Sequence, residues 1–375
     1  MSDSFCGLLI SACLLLFLCG AAVAGERWTA ERAGKWYAAR PWMVGCNYTP
    51  RTAINQLEFW QADTFDPNTI DQELGWARSL GMNVLRVYLH DIPHRQDAEG
   101  FYKRIDKFLG LCESHGIGVM FVLLDDCWDP DPKPGKQREP KPHLHNSGWV
   151  QSPGTAILGD PNRHDEMKPY IQGVIGRFRD DPRVLCWDLY NEPGNGQDLK
   201  YPGRDPKKKA EFSVLLLAKA FDWARQVNPT QPLTTGLWNG GWTDPNKLSP
   251  INEICVKRSD IMTFHSYSPP VGFKARAEAT LKLNRPVICT EYLNRPGGCT
   301  FQALLGYMKE KKIGAINWGF VAGKIQTQYP WASWRKKFTA EPKVWFHDVL
   351  RPDGRPFDPV ETELIRRLTG RGKAR

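Results

Sequence analysis

Eight short, almost uninterrupted apolar runs separated by amphipathic segments predict an α/β chain closed into a (β/α)8 barrel, since near-continuous apolar strands belong to a parallel sheet covered on both faces. The length agrees, because 375 residues hold one barrel of about 250 residues with length to spare. The spare length falls in two long connections, after the third and eighth runs, where a barrel carries its sites.

The runs are residues 42–49, 83–89, 118–124, 184–190, 233–236, 260–265, 286–290 and 314–318. Between them lie stripes at helical spacing: Ile70, Leu74, Ala77 and Leu80; Phe101, Ile105, Phe108 and Cys112; Leu216, Ala220, Trp223 and Val227; Phe301, Leu304, Leu305 and Met308. Asp66-Pro67 and Asp205-Pro206 read as helix starts. A doubly wound sheet is the alternative, but no Gly-rich phosphate loop follows the first run. The long connections run from Asp125 to about Asp165 and from Gly319 to about Pro359, far beyond the usual ~2–6 residues of a βα turn.

Residues 7–24 form an apolar stretch ending in Ala22-Val23-Ala24, the pattern of a leader cleaved after Ala24. A secreted or periplasmic protein is expected, with residues 25–375 forming one catalytic domain and no membrane span after the leader. The net charge of +9 comes from scattered basic residues, which reads as a solvated surface rather than a nucleic-acid face. Of ten cysteines, Cys6, Cys13 and Cys19 lie in the leader. Cys46, Cys186 and Cys289 sit in apolar runs as buried thiols, while Cys127, Cys255 and Cys299 near loops leave room for one disulfide.

The strongest chemical signal is Trp187-Asp188-Leu189-Tyr190-Asn191-Glu192-Pro193, ending the fourth run. The second is Thr290-Glu291-Tyr292, ending the seventh run 99 residues after Glu192. Carboxylates on the rims of nonadjacent strands can face each other across a barrel mouth, as glycoside cleavage requires. One acts as acid toward the leaving oxygen, the other as nucleophile or base.

On these motifs the chain resembles the clan A glycoside hydrolases, and within them the cellulase-like family 5 group, from Trp42 to about Leu368. The resemblance implies Glu192 as acid/base, Glu291 as nucleophile, and Asn191 as donor to the sugar 2-hydroxyl. It implies that Arg86 sits beside Glu291 and keeps it ionised. His265-Ser266-Tyr267 matches a His-x-Tyr pattern after strand six, with Tyr267 bonding the nucleophile, and Trp318 matches the aromatic floor of the central sugar site. One departure stands out. The family commonly has a His near the end of strand three, where this chain reads Leu124-Asp125-Asp126-Cys127-Trp128; His90-Asp91 is a partial substitute.

A retaining pair lies about 5–5.5 Å apart, too close for both groups to ionise comfortably, so Glu192 is expected to carry the raised pKa and keep its proton. The 15 tryptophans suit a sugar cleft, since indole faces stack on the C–H face of pyranose rings. Trp128 and Trp149 in the third connection, Trp238 and Trp242 after strand five, and Trp331 and Trp334 after strand eight are candidates; about half should prove to be packing, as should Trp345 with Phe346. Asn47 and Tyr48 are expected to line the cleft floor. His143 and His145 have the spacing of a metal pair, but no third ligand is placed and a solvated loop is favoured.

The reading is a retaining β-glycoside hydrolase, monomeric, acting on a carbohydrate substrate without metal or organic cofactor. A β-mannanase, a xylanase or an exo-acting enzyme is the rival to an endo-β-glucanase. A carbohydrate-binding barrel without turnover is the rival from another class, and both glutamates with Asn191 stand against it.

Overall fold

The computed structural model describes residues 25–371 except Asp198 and Thr243. The leader expected over residues 1–24 lies outside the described residues. Strands β1 (Val44–Asn47), β2 (Val84–Tyr88), β3 (Gly118–Asp125), β4 (Val184–Asn191), β5 (Leu233–Thr234), β6 (Met262–His265), β7 (Val287–Glu291) and β8 (Gly314–Asn317) coincide with the eight apolar runs. Their order is β5-β4-β3-β2-β1-β8-β7-β6, and every pairing is parallel. The β5 ladder ends early, and the ring closes one step later at a parallel bridge between Leu237 and Phe264. There the Leu237 N–H reaches the Thr263 carbonyl and the His265 N–H reaches the Leu237 carbonyl, both at 2.9 Å.

Strand alternation sorts the side chains into layers. Val84, Met120, Cys186, Ile288 and Ile316 point inward at the amino-terminal end, packing against Trp28, Ala33 and Met43. The helix Ala30–Ala38 therefore stoppers the bottom of the barrel. Two residues further along β2 comes Arg86, and two further Tyr88, so one face of a single strand runs from plug to site. Leu85 and Val87 point the other way, into the cluster shared with the outer helices.

The predicted stripes are the buried faces of the helices Pro67–Ser79, Ala98–Ser114, Lys209–Val227 and Phe301–Glu310, with Val227 half-buried at a helix end. Asp66 caps its helix by accepting from the Thr69 N–H at 3.0 Å. Asp205 does not start one. The helix begins at Lys209, whose ammonium donates to Asp205 four residues back at 2.8 Å, so this carboxylate pairs with the first helical residue instead of capping the helix.

All seven described cysteines are buried free thiols, including Cys127, Cys255 and Cys299. The disulfide left open by the sequence does not form, because each of those three thiols faces a separate acceptor: Glu192, the Gly236 carbonyl and the Ser266 carbonyl. Among the described residues no helix is long and apolar enough to cross a membrane.

Candidate active site

Arg86 is fully buried at the barrel centre, and a guanidinium there needs every donor answered. Its Nε and Nη2 donate to Asp188 Oδ2 at 3.0 and 2.8 Å. Nη2 also reaches Asn191 Oδ1 at 2.8 Å, and Nη1 reaches Asn47 Oδ1 at 2.9 Å and Glu291 Oε1 at 2.8 Å. Glu291 receives two phenols as well, Tyr88 on Oε1 at 2.8 Å and Tyr267 on Oε2 at 2.7 Å. Burial pushes both phenols well above their usual range, so they stay protonated and donate. One cation and two hydroxyls thus converge on one carboxylate.

Glu192 follows β4 in left-handed backbone, φ +44°, a costly conformation for a residue with a Cβ. This turn brings its carboxyl back over the barrel mouth. His265 Nδ1 lies 2.9 Å from Glu192 Oε1 and 3.6 Å from Glu291 Oε2, and oxygens of the two carboxylates lie within 4.8 Å of one another. Asn195 Nδ2 and the Cys127 thiol donate to Glu192 Oε2, the thiol at 3.3 Å.

These neighbours correct one expectation. Burial pushes the Glu192 carboxyl upward, but the hydrogen bond and charge of His265, with bonds from Cys127 and Asn195, outweigh it and hold the carboxyl below its ordinary value. Proximity to Glu291 suggested the opposite; the imidazole set between the two carboxylates reverses the sign.

Asn191 faces the same pocket, but its Nδ2 already donates to Asp125 Oδ1 at 2.9 Å and to the Cys127 sulfur at 3.4 Å. Asp125 is pushed up to about 7 by burial, against the bonds from Asn191, Trp149 and the Cys127 N–H.

The pocket has a volume of about 470 Å³, within the ~300–1,000 Å³ usual for small-molecule sites. Trp128, Trp238, Trp318 and Trp331 line it together with both glutamates, His265 and Tyr267. Trp149 does not. It is 1% exposed, donates from Nε1 to Asp125 Oδ2 at 2.7 Å, and packs its ring edge-on to Tyr88 and Trp318. It supports the floor instead of forming it. Replacing Trp149 by Phe keeps most of the packing and strips Asp125 of a donor, so thermal or urea unfolding should show a loss of about 1–3 kcal/mol.

Other aromatic candidates also sort into lining and support. Trp242 is buried, donating to Thr280 Oγ1 at 3.0 Å, and Trp334 stacks behind Trp128 at 5.4 Å. Trp345 stacks on Phe357 at 4.7 Å rather than on Phe346. Tyr48 faces outward, donating to Glu73 at 2.9 Å, because it stands one residue from the inward Asn47. His90 and Asp91 are buried supports, His90 against the Gln151 carbonyl and Asp91 against Arg95, and neither replaces a strand-three histidine in the pocket. His143 and His145 do not form a solvated loop: both bond Tyr329, at 2.6 and 2.7 Å, and His145 is 1% exposed.

Tyr88, Asp188, Asn195 and Cys127 escaped the sequence reading. Tyr88 was detectable, standing two residues beyond Arg86 on the same strand face. Asn195 and Cys127 reach Glu192 through loop paths that carry no periodic signal.

The family described as cellulase (glycosyl hydrolase family 5) matches residues 49–323. Mannan endo-1,4-beta-mannosidase 2 of Oryza sativa subsp. japonica is 24% identical over 156 residues, 36% of this chain and 34% of that protein. The chain thus spans about a third of that relative's length, and about half that of a second curated relative, from Arabidopsis thaliana. A glycoside hydrolase of family 5, subfamily 18, from Streptomyces cattleya, solved with Manβ1-4GlcNAc, superposes with a TM-score of 0.59 at 14% identity, covering 87% of this chain and 80% of that one. The β-1,4-mannanase of the sea hare Aplysia kurodai gives 0.54 at 16% identity, covering 74% and 88%. At these identities the two structures share the fold.

Proposed function

The chain belongs to the cellulase family, glycosyl hydrolase family 5, and on that premise we propose that it is a retaining β-glycoside hydrolase acting on β-mannosidic oligo- or polysaccharides. The observation that carries the reading is the approach of Glu192 and Glu291 oxygens to within 4.8 Å. That spacing suits a retaining pair, at about 5–5.5 Å, and is too short for the water that an inverting pair admits at ~6.5–9.5 Å. The sugar class rests on the names of the mannan-cleaving relatives.

In this reading Glu291, paired with Arg86, attacks the anomeric carbon while Glu192 protonates the leaving oxygen. Glu192 then takes a proton from water, which attacks the glycosyl-enzyme and restores both carboxyls. Trp318 carries the ring, and Tyr267 and Tyr88 orient the attacking carboxylate. The leader at residues 1–24 would export a monomeric catalytic domain of residues 25–375.

The test is hydrolysis of β-1,4-linked manno-, gluco- and xylo-oligosaccharides, with the anomer of the first product followed by NMR. A β product is expected, and an α product from a β substrate would overturn the retaining mechanism.

The downward shift of Glu192 sets a pH dependence. An acid must be protonated to act, so the limb on which kcat/KM for oligosaccharides falls as pH rises is set by Glu192 and is displaced to lower pH by its neighbours. Removing the Asn195 donor favours the protonated carboxyl, so Asn195→Ala should move that limb to higher pH. A limb that stays in place would show that Asn195 does not tune this group.

A further inference from the structure

Resting on that reading, we propose that the pocket holds a single sugar ring on its glycone side, so that the chain removes one residue at a time from non-reducing ends. The observation is a wall. The connection after β3 (126–154) and the connection after β8 (318–358) are fastened to each other across the barrel mouth. His143 N–H donates to Gln326 Oε1 at 2.8 Å, and its Nδ1 meets the Tyr329 hydroxyl at 2.6 Å. His145 Nδ1 meets the Tyr329 carbonyl at 2.7 Å, the Asn146 N–H reaches the Ile325 carbonyl at 2.9 Å, and Trp334 Nε1 reaches the His145 carbonyl at 2.7 Å.

The β8 connection begins the wall at Trp331, edge-on to Tyr267 at 5.0 Å just past β6. It ends at Trp334, which packs against Trp128 after β3 at 5.4 Å and against Tyr201 after β4 at 5.5 Å. Behind the floor, Tyr88 and Trp149 stand against Trp318 at 5.7 and 5.8 Å. The β8–β1–β2–β3 side of the mouth is therefore closed by packed rings: Trp128 is 7%, His145 1% and Trp318 8% exposed.

The opposite side is open. Trp238 is half-buried, and Asn239, Gly240 and Gly241 beyond it are exposed. Trp238 Nε1 bonds the Pro193 carbonyl at 3.3 Å, beside Glu192. The acid serves the leaving oxygen, so the leaving group extends past Glu192 toward Trp238. The ring under attack lies over Trp318, with its non-reducing end against the wall. Each turnover breaks the C1–O bond of that terminal residue, adds water across it and frees a monosaccharide.

The experiment uses the full chain and β-1,4-linked tetraoses of mannose, glucose and xylose carrying a fluorophore at the reducing end. Early time points should give monosaccharide and the labelled triose, exceeding all shorter labelled products at least ~10-fold, the ratio that about 1.4 kcal/mol of discrimination produces. Early labelled mono- or disaccharide from interior cleavage would overturn the single-ring pocket while leaving the retaining reading standing. No cleavage of any tetraose or aryl β-glycoside would overturn both. Trp334→Ala removes the crossing ring, and interior products should then appear; if that variant does not fold, the wild-type product pattern decides alone.

Discussion

Glu291→Ala is expected to lose turnover by on the order of 10⁴-fold or more, the scale on which covalent enzymes respond when their nucleophile is removed. The protein should still fold. Arg86 keeps Asp188 and Asn191 as partners, at 2.8 Å each, and the two phenols can turn to water in the vacated space. Sugar binding should survive, because the aromatic lining is untouched. Azide admitted to that space should restore part of the rate on an activated aryl β-glycoside and yield the α-glycosyl azide, since the small anion attacks from the side the carboxylate occupied. Kinetics and product NMR check both points. Hydrolysis retained in Glu291→Ala without azide would remove this residue from the mechanism.

Arg86→Met should cost about 3–5 kcal/mol of stability, as when one member of a buried ion pair is removed and its partner charge is stranded. Two carboxylates are stranded here, Asp188 and Glu291, at 0% and 5% exposure. Burial already pushes Asp188 upward, and the Arg86 charge and hydrogen bonds are the largest opposing influence, ahead of the His265 charge. Without them Asp188 takes up a proton in the folded state. A group with a raised folded pKa contributes stability that is lost as pH rises, so the deficit of the variant should widen from acid to neutral pH. Urea titration at several pH values reads this as a shift in midpoint at constant slope. Activity should fall as well, because the nucleophile loses its counter-ion. Arg86→Lys keeps the charge but cannot span Asp188, Asn191 and Glu291 at once, and it should recover only part of either loss. A midpoint unchanged in Arg86→Met would contradict the account of the barrel centre.

These two residues were legible before any coordinates, for different reasons. The place of Arg86 beside Glu291 was implied by the family resemblance and not by any period in the chain, and the 2.8 Å contact between them agrees with it. Glu291 ends β7 and Glu192 follows β4 by one residue, where the barrel leaves side chains at its mouth. Trp128 and Trp149 show the limit of that logic. They share one connection and one chemistry, yet Trp128 meets the pocket and Trp149 lies beneath the floor. Trp128 sits at φ +72°, a turn that no pattern of its neighbours announced.

The amino-acid order alone determined the eight strands, the four helical faces and the facing glutamates, because each follows from a local period or from a strand end, while the place of Arg86 beside Glu291 was implied by the family resemblance. The tertiary structure decided what depends on loop path. It set the sign of the Glu192 shift, which comes from His265 at the end of β6, Cys127 in the connection after β3 and Asn195 three residues beyond Glu192 in its own turn. It also closed one side of the pocket, through His143 and His145 meeting Tyr329. Contacts between residues nearly two hundred positions apart leave no periodic trace in the chain, so they exist as physics only once the barrel has brought its loops together.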